Sequence, residues 1–273
     1  MRKDYLAVSA DDARADESAF LDRFWTSQWD GRAARPAAAA VTRRNEYRII
    51  RPLLDTLPAG SRVLDGGCGL GEWTVFLTDR GARVTGLDIS QRTVARLKAL
   101  LPDYDFTCGD IRRTTFDDAT FDAYFSWGTF EHFEGGLGEC IDEAWRVLRP
   151  GGLLFISVPF QSWWHLLRDQ RPLDRWDREY DRRHGYRRAQ RFYQWRLTRP
   201  ELERELALRG FRVLGITPFG KKEGATHWLE AHLPAVRKGT VLFGLARRLL
   251  GAMLPAAAIA HMILAAARKV ERP

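Results

Sequence analysis

Val63-Leu64-Asp65-Gly66-Gly67-Cys68-Gly69-Leu70-Gly71-Glu72-Trp73 sets the architecture of this 273-residue chain. The aliphatic run at residues 62–64 ends in an acid, Asp65. Glycines follow in the spacing G-x-G-x-G at Gly67, Gly69 and Gly71, and residues 73–80 read as a helix that stops at Gly81. A strand, a glycine turn and a helix N-terminus in that order let backbone approach a ligand where a Cβ would collide. They also leave helix N–H groups without intrahelical partners. The dinucleotide fingerprint G-x-G-x-x-G needs its third glycine one residue later. An acid directly before the turn would also repel a pyrophosphate. It suits a ligand with a positive group, such as the ammonium of an amino acid.

Outward from this turn the same unit repeats. A strand over residues 83–87 ends at Asp88, and a helix covers 92–101. A strand at 105–108 leads to Asp110, and another at 121–126 leads to Trp127. A helix at 138–148 is followed by a strand at 153–158 that stops at Pro159. Five strands separated by helices or long crossovers predict a parallel, doubly wound α/β sheet. Ligands in such sheets sit outside the carboxyl ends of the strands. Asp65, Asp88 and Asp110 stand at three such ends, 23 and 22 residues apart. One strand-end acid is commonplace as a helix cap; three in consecutive units converge on one crevice.

Both flanks depart from this rhythm. Phe20, Phe24 and Trp25 give an N-terminal helix one apolar face, which packs on the domain or lids a pocket. A second helix covers 45–57, interrupted near Pro52. Residues 160–196 hold ten arginines, five acids and nine aromatics, and read either as a solvated helix or as a substrate lid. Thr198-Arg199-Pro200-Glu201 opens a helix by cap and N-terminal proline logic, and a strand follows at 211–217. Residues 249–267 carry no formal charge, yet Pro255 and His261 interrupt them and eight are alanine. We read a helix over 236–254 and a final strand at 259–267 rather than a membrane span.

A hydrophobic content of 45% supplies a sizeable core. The net charge of +8 suits anionic lipid, nucleic acid or an acidic substrate, with nucleic acid disfavoured. Three cysteines without C-x-x-C spacing indicate neither a disulfide framework nor zinc, and no metal site is expected. The first residues lack the apolar run of a signal peptide, which predicts a cytoplasmic protein, with peripheral membrane contact left open.

Together the motifs V-L-D-G-G-C-G-L-G, V-T-G-L-D-I-S, C-G-D-I, F-D-A-Y-F-S-W-G-T-F-E-H-F and L-R-P-G-G-L-L-F-I-S-V-P resemble the class I S-adenosylmethionine-dependent methyltransferases. The likeness is strongest to the small-molecule group that includes quinone-biosynthesis enzymes. It covers roughly residues 45–217 plus the final strand. It implies a Rossmann-like seven-stranded sheet with its last strand antiparallel and with helical cap elements. It also implies four segments: a helical cap over 1–44, a cofactor-binding core over 45–160, an Arg/aromatic insertion over 161–197, and the rest of the core over 198–273. By this resemblance Asp65 and the turn of Gly67, Cys68, Gly69 and Gly71 hold the methionine part of S-adenosylmethionine. Asp88 takes the ribose hydroxyls and Ile89 flanks adenine. Asp110 accepts from the adenine amino group, the Ile111 N–H caps a ring nitrogen, and Trp127 contributes backbone near the methionine.

Methyl transfer from a sulfonium needs mainly positioning and desolvation. For a hydroxyl acceptor a base near neutrality helps, and His132 is the candidate, as base or as a shaper of the pocket. Neighbouring Glu131 orders that loop. The expected acceptor is a small molecule, hydrophobic and lipid-linked or anionic, methylated at oxygen. Its pocket would be walled by the N-terminal aromatics, the insertion and the helix before the last strand. The rivals are a non-catalytic or membrane-associated scaffold that binds S-adenosylmethionine, and a nicotinamide oxidoreductase. Oligomeric state is not written in the sequence.

Overall fold

The computed structural model describes residues 1–30, 32, 38–168, 189–233 and 238–271. In chain order its strands are β1 (Arg2–Val8), β2 (Arg62–Gly66), β3 (Arg83–Asp88), β4 (Asp105–Cys108), β5 (Phe121–Trp127), β6 (Leu148–Pro159), β7 (Ala189–Arg196), β8 (Phe211–Phe219) and β9 (Met262–Lys269). Seven of them form one sheet in the spatial order β4-β3-β2-β5-β6-β9-β8. β2 to β6 pair in parallel, and β9 lies antiparallel between β6 and β8. This is the doubly wound sheet with an antiparallel last strand that the motifs imply.

The central strands are apolar because helices cover both faces. Leu64, Tyr124, Phe125, Leu154 and Phe155 have no exposed surface, as expected for parallel strands buried on two sides. On one face Tyr124, Leu154 and Leu64 join Ile141 and Ala144 of α6 (Gly138–Val147) and Leu202 and Leu206 of α8 (Arg199–Ala207). On the other, Phe125 and Phe155 meet Trp73, Phe76 and Leu77 of α4 (Glu72–Asp79) and Ile50 and Leu54 of α3 (Asn45–Leu54). α3 runs through Pro52 without the expected interruption. α5 (Gln91–Leu100) packs on β3 and β4.

The flanks differ more from the sequence reading. Residues 1–44 hold α1 (Ala10–Arg14) and α2 (Glu17–Trp29), but begin with β1, which pairs antiparallel with β7 in a separate two-stranded sheet. Of the insertion, the described parts are the short helix α7 (Trp163–Arg168) and β7; Trp176 and the rest of 169–188 lie outside the described residues. The helix expected over 236–254 is α10 (Val241–Met253), which starts where the Thr240 hydroxyl accepts the Phe243 N–H at 3.2 Å. Before it stands a helix that the sequence reading lacked, α9 (Lys221–His232). After it come α11 (Ala256–Ile259) and β9, the latter starting three residues and ending two residues later than expected.

Candidate functional site

The carboxyl ends of β2 and β3 open into a cavity of about 360 Å³. Asp65 ends the aliphatic run of β2 and is buried. The Thr74 hydroxyl, in the first turns of α4, donates to its Oδ2 at 2.7 Å. Burial pushes this carboxyl up to about 7, against the Thr74 side-chain and backbone hydrogen bonds that lower it. Asp88 ends β3. It accepts the Gly69 N–H at 2.8 Å and the Ser90 N–H at 2.9 Å, and burial raises its carboxyl as well, in opposition to those bonds. The two acids flank the glycine turn from adjacent strands and both line the cavity.

The turn is pinned to β3, since Gly67 and Cys68 donate to the Leu87 carbonyl at 2.7 and 3.0 Å. Gly67 adopts a φ of 78°, and a methyl on it would strike the Thr129 side chain. Only glycine meets both conditions. Gly67, Cys68, Gly69, Ile89, Ile111, Trp127 and His132 all line the cavity. Gly71 starts α4 just behind the turn.

Asp110 is the exception among the three strand-end acids. Gly109 and Ile111 line the cavity on either side of it, while its carboxylate is taken by Arg112, with Nη2 to Oδ2 at 2.7 Å. Arg112 continues to Glu17 on α2 at 2.5 Å and stacks over Phe133 at 4.2 Å. The acid therefore anchors α2 to the sheet. Two further bonds hold that helix over the turn, Thr26 to Ser90 at 2.7 Å and the Gln91 N–H to Asp22 at 3.3 Å.

α2 brings Leu21, Trp25 and Trp29 to the cavity wall. Trp25 stacks on Trp29 at 5.7 Å and meets the His132 ring edge-on at 4.9 Å. Of the N-terminal aromatics, Trp25 and Trp29 thus line this cavity, whereas Phe20 and Phe24 do not. Of the other two expected walls, most of the insertion, residues 169–188, lies outside the described residues. Its described residues meet the cavity lining through the Tyr193 carbonyl at His132 and the Trp195 indole N–H, which donates to the Phe133 carbonyl at 3.0 Å, while Val241, Leu242, Leu245, Leu249 and Met253 of α10 are exposed. Arg32, Arg44, Glu72, Thr129 and Phe133 line the cavity without having been signalled. Arg44 pairs with Glu72. Both are ordinary helix-end residues in sequence, and only the pocket shared by α3 and α4 brings them together.

His132 lies in a short 3-10 turn after β5 and is buried. Its Nδ1 is 2.7 Å from the Tyr193 carbonyl, so Nδ1 is the donor and Nε2 keeps the lone pair of the neutral ring. Burial lowers it to about 4, with the Tyr193 and Gly128 backbone contacts opposing. Glu131 Oε1 is 3.8 Å from Nε2. Glu131 is buried, its Oε2 has no partner, and burial pushes it up to about 8. At neutral pH the pair is therefore an uncharged acid beside an uncharged imidazole.

Residues 63–152 match the profile of a family described as "Methyltransferase domain". A probable S-adenosylmethionine-dependent methyltransferase of Mycolicibacterium smegmatis is 36% identical over 101 residues, 37% of this chain and 39% of that protein. The 2-methyl-6-phytyl-1,4-hydroquinone methyltransferase of Synechocystis is 35% identical over 130 residues, 46% of this chain and 39% of that protein. The chain thus spans about two fifths of the length of these relatives. Among solved structures, the geranyl diphosphate C-methyltransferase of Streptomyces coelicolor aligns with a TM-score of 0.58 at 17% identity, covering 94% of this chain and 99% of that one. A putative sarcosine dimethylglycine methyltransferase of Galdieria sulphuraria gives 0.57 at 16%, covering 94% and 100%. At such identities the structural likeness speaks for the fold.

Proposed function

We propose that this chain, whose residues 63–152 match the methyltransferase-domain profile, is a class I S-adenosylmethionine-dependent methyltransferase that moves a methyl group from S-adenosylmethionine to an oxygen atom of a small molecule. The observation that carries the proposal is the pair of buried carboxylates, Asp65 and Asp88, facing one cavity on either side of the glycine turn. S-adenosylmethionine supplies a methyl on a positive sulfur with a good leaving group. The protein's share is to bind, orient and exclude water. Asp65 and the turn of Gly67, Cys68, Gly69 and Gly71 would hold the positive methionine part. Asp88 would take the ribose hydroxyls with charge-assisted bonds. Ile89 and Ile111 would enclose the adenine, and Asp110 would meet its amino group with a carboxylate shared with Arg112. Trp127 would border the methionine.

The acceptor end is the aromatic wall of Leu21, Trp25, Phe133 and His132, which favours a hydrophobic acceptor. His132 Nε2 would take the acceptor's proton. A base this weak suits a hydroxyl that turns acidic as the methyl bonds to it, such as a phenol.

Calorimetric titration with S-adenosylhomocysteine, with NADH as control, tests the reading. Micromolar binding of the first alone is the expected result. Binding of NADH alone, or of neither, would overturn it. Turnover of labelled S-adenosylmethionine on phenolic acceptors, lost in His132→Ala with cofactor affinity kept, tests the base.

A further inference from the structure

α10 is held by one side and bare on the other. Phe243 is its buried residue. On a helical wheel Val241, Leu242, Leu245, Leu249 and Met253 fall within a sector of about 120°, turned away from Phe243. Their exposures are 90%, 63%, 55%, 54% and 80%. Single exposed apolar side chains are ordinary, whereas an unbroken stripe along a 13-residue helix is not. Such a stripe stands out in a chain whose mean hydropathy is −0.35.

The stripe has a definite place. β6 and β8 run parallel to each other, and α7 and α9 leave their carboxyl ends, the same end of the sheet as the cavity. α7 packs on α9 through Trp164, which meets Trp228 at 5.9 Å and His232 at 4.3 Å. α10 packs on α9 as well. α7 adds exposed Trp163 and Leu167, at 58% and 68%.

Charge selects the occupant. Residues 221–253 contain six Lys and Arg against two Glu. Arg248 borders the stripe, is exposed and has no acidic partner among the described residues. A second copy would bring an equally basic face to this one. An anionic bilayer offers apolar depth beneath negative headgroups. No described helix is long and apolar enough to cross a membrane, which leaves binding in the plane of the interface.

We propose that α10, flanked by α7, is a docking surface for anionic lipid bilayers. It sets the stripe among the acyl chains, with Arg248 at the headgroups and the cavity on the end of the sheet nearest the membrane. The docking does not depend on the proposed methyl transfer.

The test is flotation of the full chain with vesicles of phosphatidylcholine containing phosphatidylglycerol, and with vesicles of phosphatidylcholine alone. The wild type should float with the anionic vesicles, less as salt rises, and little with the neutral ones. Leu245→Asp with Leu249→Asp should lower vesicle binding by about tenfold or more. Because both side chains face solvent, Tm and S-adenosylhomocysteine affinity should stay unchanged. The proposal is overturned if the wild type ignores anionic vesicles or if the double variant binds them equally well. It is also overturned if sedimentation shows a dimer that the double variant dissolves, since the stripe would then belong to a second copy.

Discussion

Asp65 is an acid that its surroundings keep half protonated near neutrality, at about 7. A positive ligand placed against it would draw the proton off. Binding of S-adenosylmethionine should therefore release a proton, and its affinity should rise by up to tenfold per pH unit below about pH 7 and then level off. Calorimetry in buffers of different ionisation heat reads this directly. Asp65→Asn should remove the slope. Asp88 acts differently, because it already fixes the Gly69 N–H. Asp88→Ala should weaken S-adenosylhomocysteine binding by about 2 kcal/mol, the loss of a charge-assisted pair, and isothermal titration of the variant measures it. Near-wild-type affinity would remove Asp88 from the ribose.

At the scale of elements, α2 supplies the aromatic wall of the site. It is tied down by the Asp110–Arg112–Glu17 chain and carries Trp25 and Trp29 into the wall. Arg112→Ala should lower S-adenosylhomocysteine affinity by about tenfold without removing any group expected to touch it. It should also raise hydrogen exchange across 17–29, which mass spectrometry resolves. Asp65 and Asp88 were legible because each ends a strand's apolar run and precedes a helix. That Asp110 also anchors α2 was not, because this depends on Glu17, ninety-three residues away. The same reason hid β1 and β7. Their segments R-K-D-Y-L-A-V and A-Q-R-F-Y-Q-W-R show no clean alternation and become strands only by pairing with each other. α9 was missed because Gly224 breaks its helical pattern; that glycine is required where the helix crosses the Ile259 carbonyl, which a methyl would strike. α10 was legible as an apolar helix, but not which way its face points.

For the whole molecule the buried titratable groups oppose one another. Asp65 and Glu131 are raised to about 7 and about 8 in the folded chain. Between their unfolded and folded values the folded state binds more protons, so stability is lost as pH rises. His132 and His261 are lowered to about 4, chiefly by burial. There the unfolded state binds more protons, and stability is lost as pH falls from about 6.5 towards 4. The two trends offset below about pH 6.5, and only the carboxyl trend remains above it. Without cofactor, Tm should therefore be nearly flat from about pH 5 to 6.5 and should fall from there to pH 8. Glu131→Gln should flatten the upper fall, as scanning calorimetry across pH would show.

The place of β9 has a consequence for how the chain is made. It fills the gap between β6 and β8, yet it is the last of the seven strands to leave the ribosome. Until residue 269 emerges, the nascent chain carries two unpaired strand edges, one of them, β6, flanked by a finished core. A synthesis arrested in α10 would therefore yield a product already folded on one half and adhesive on the other, the kind of species that chaperones retain and proteases clear.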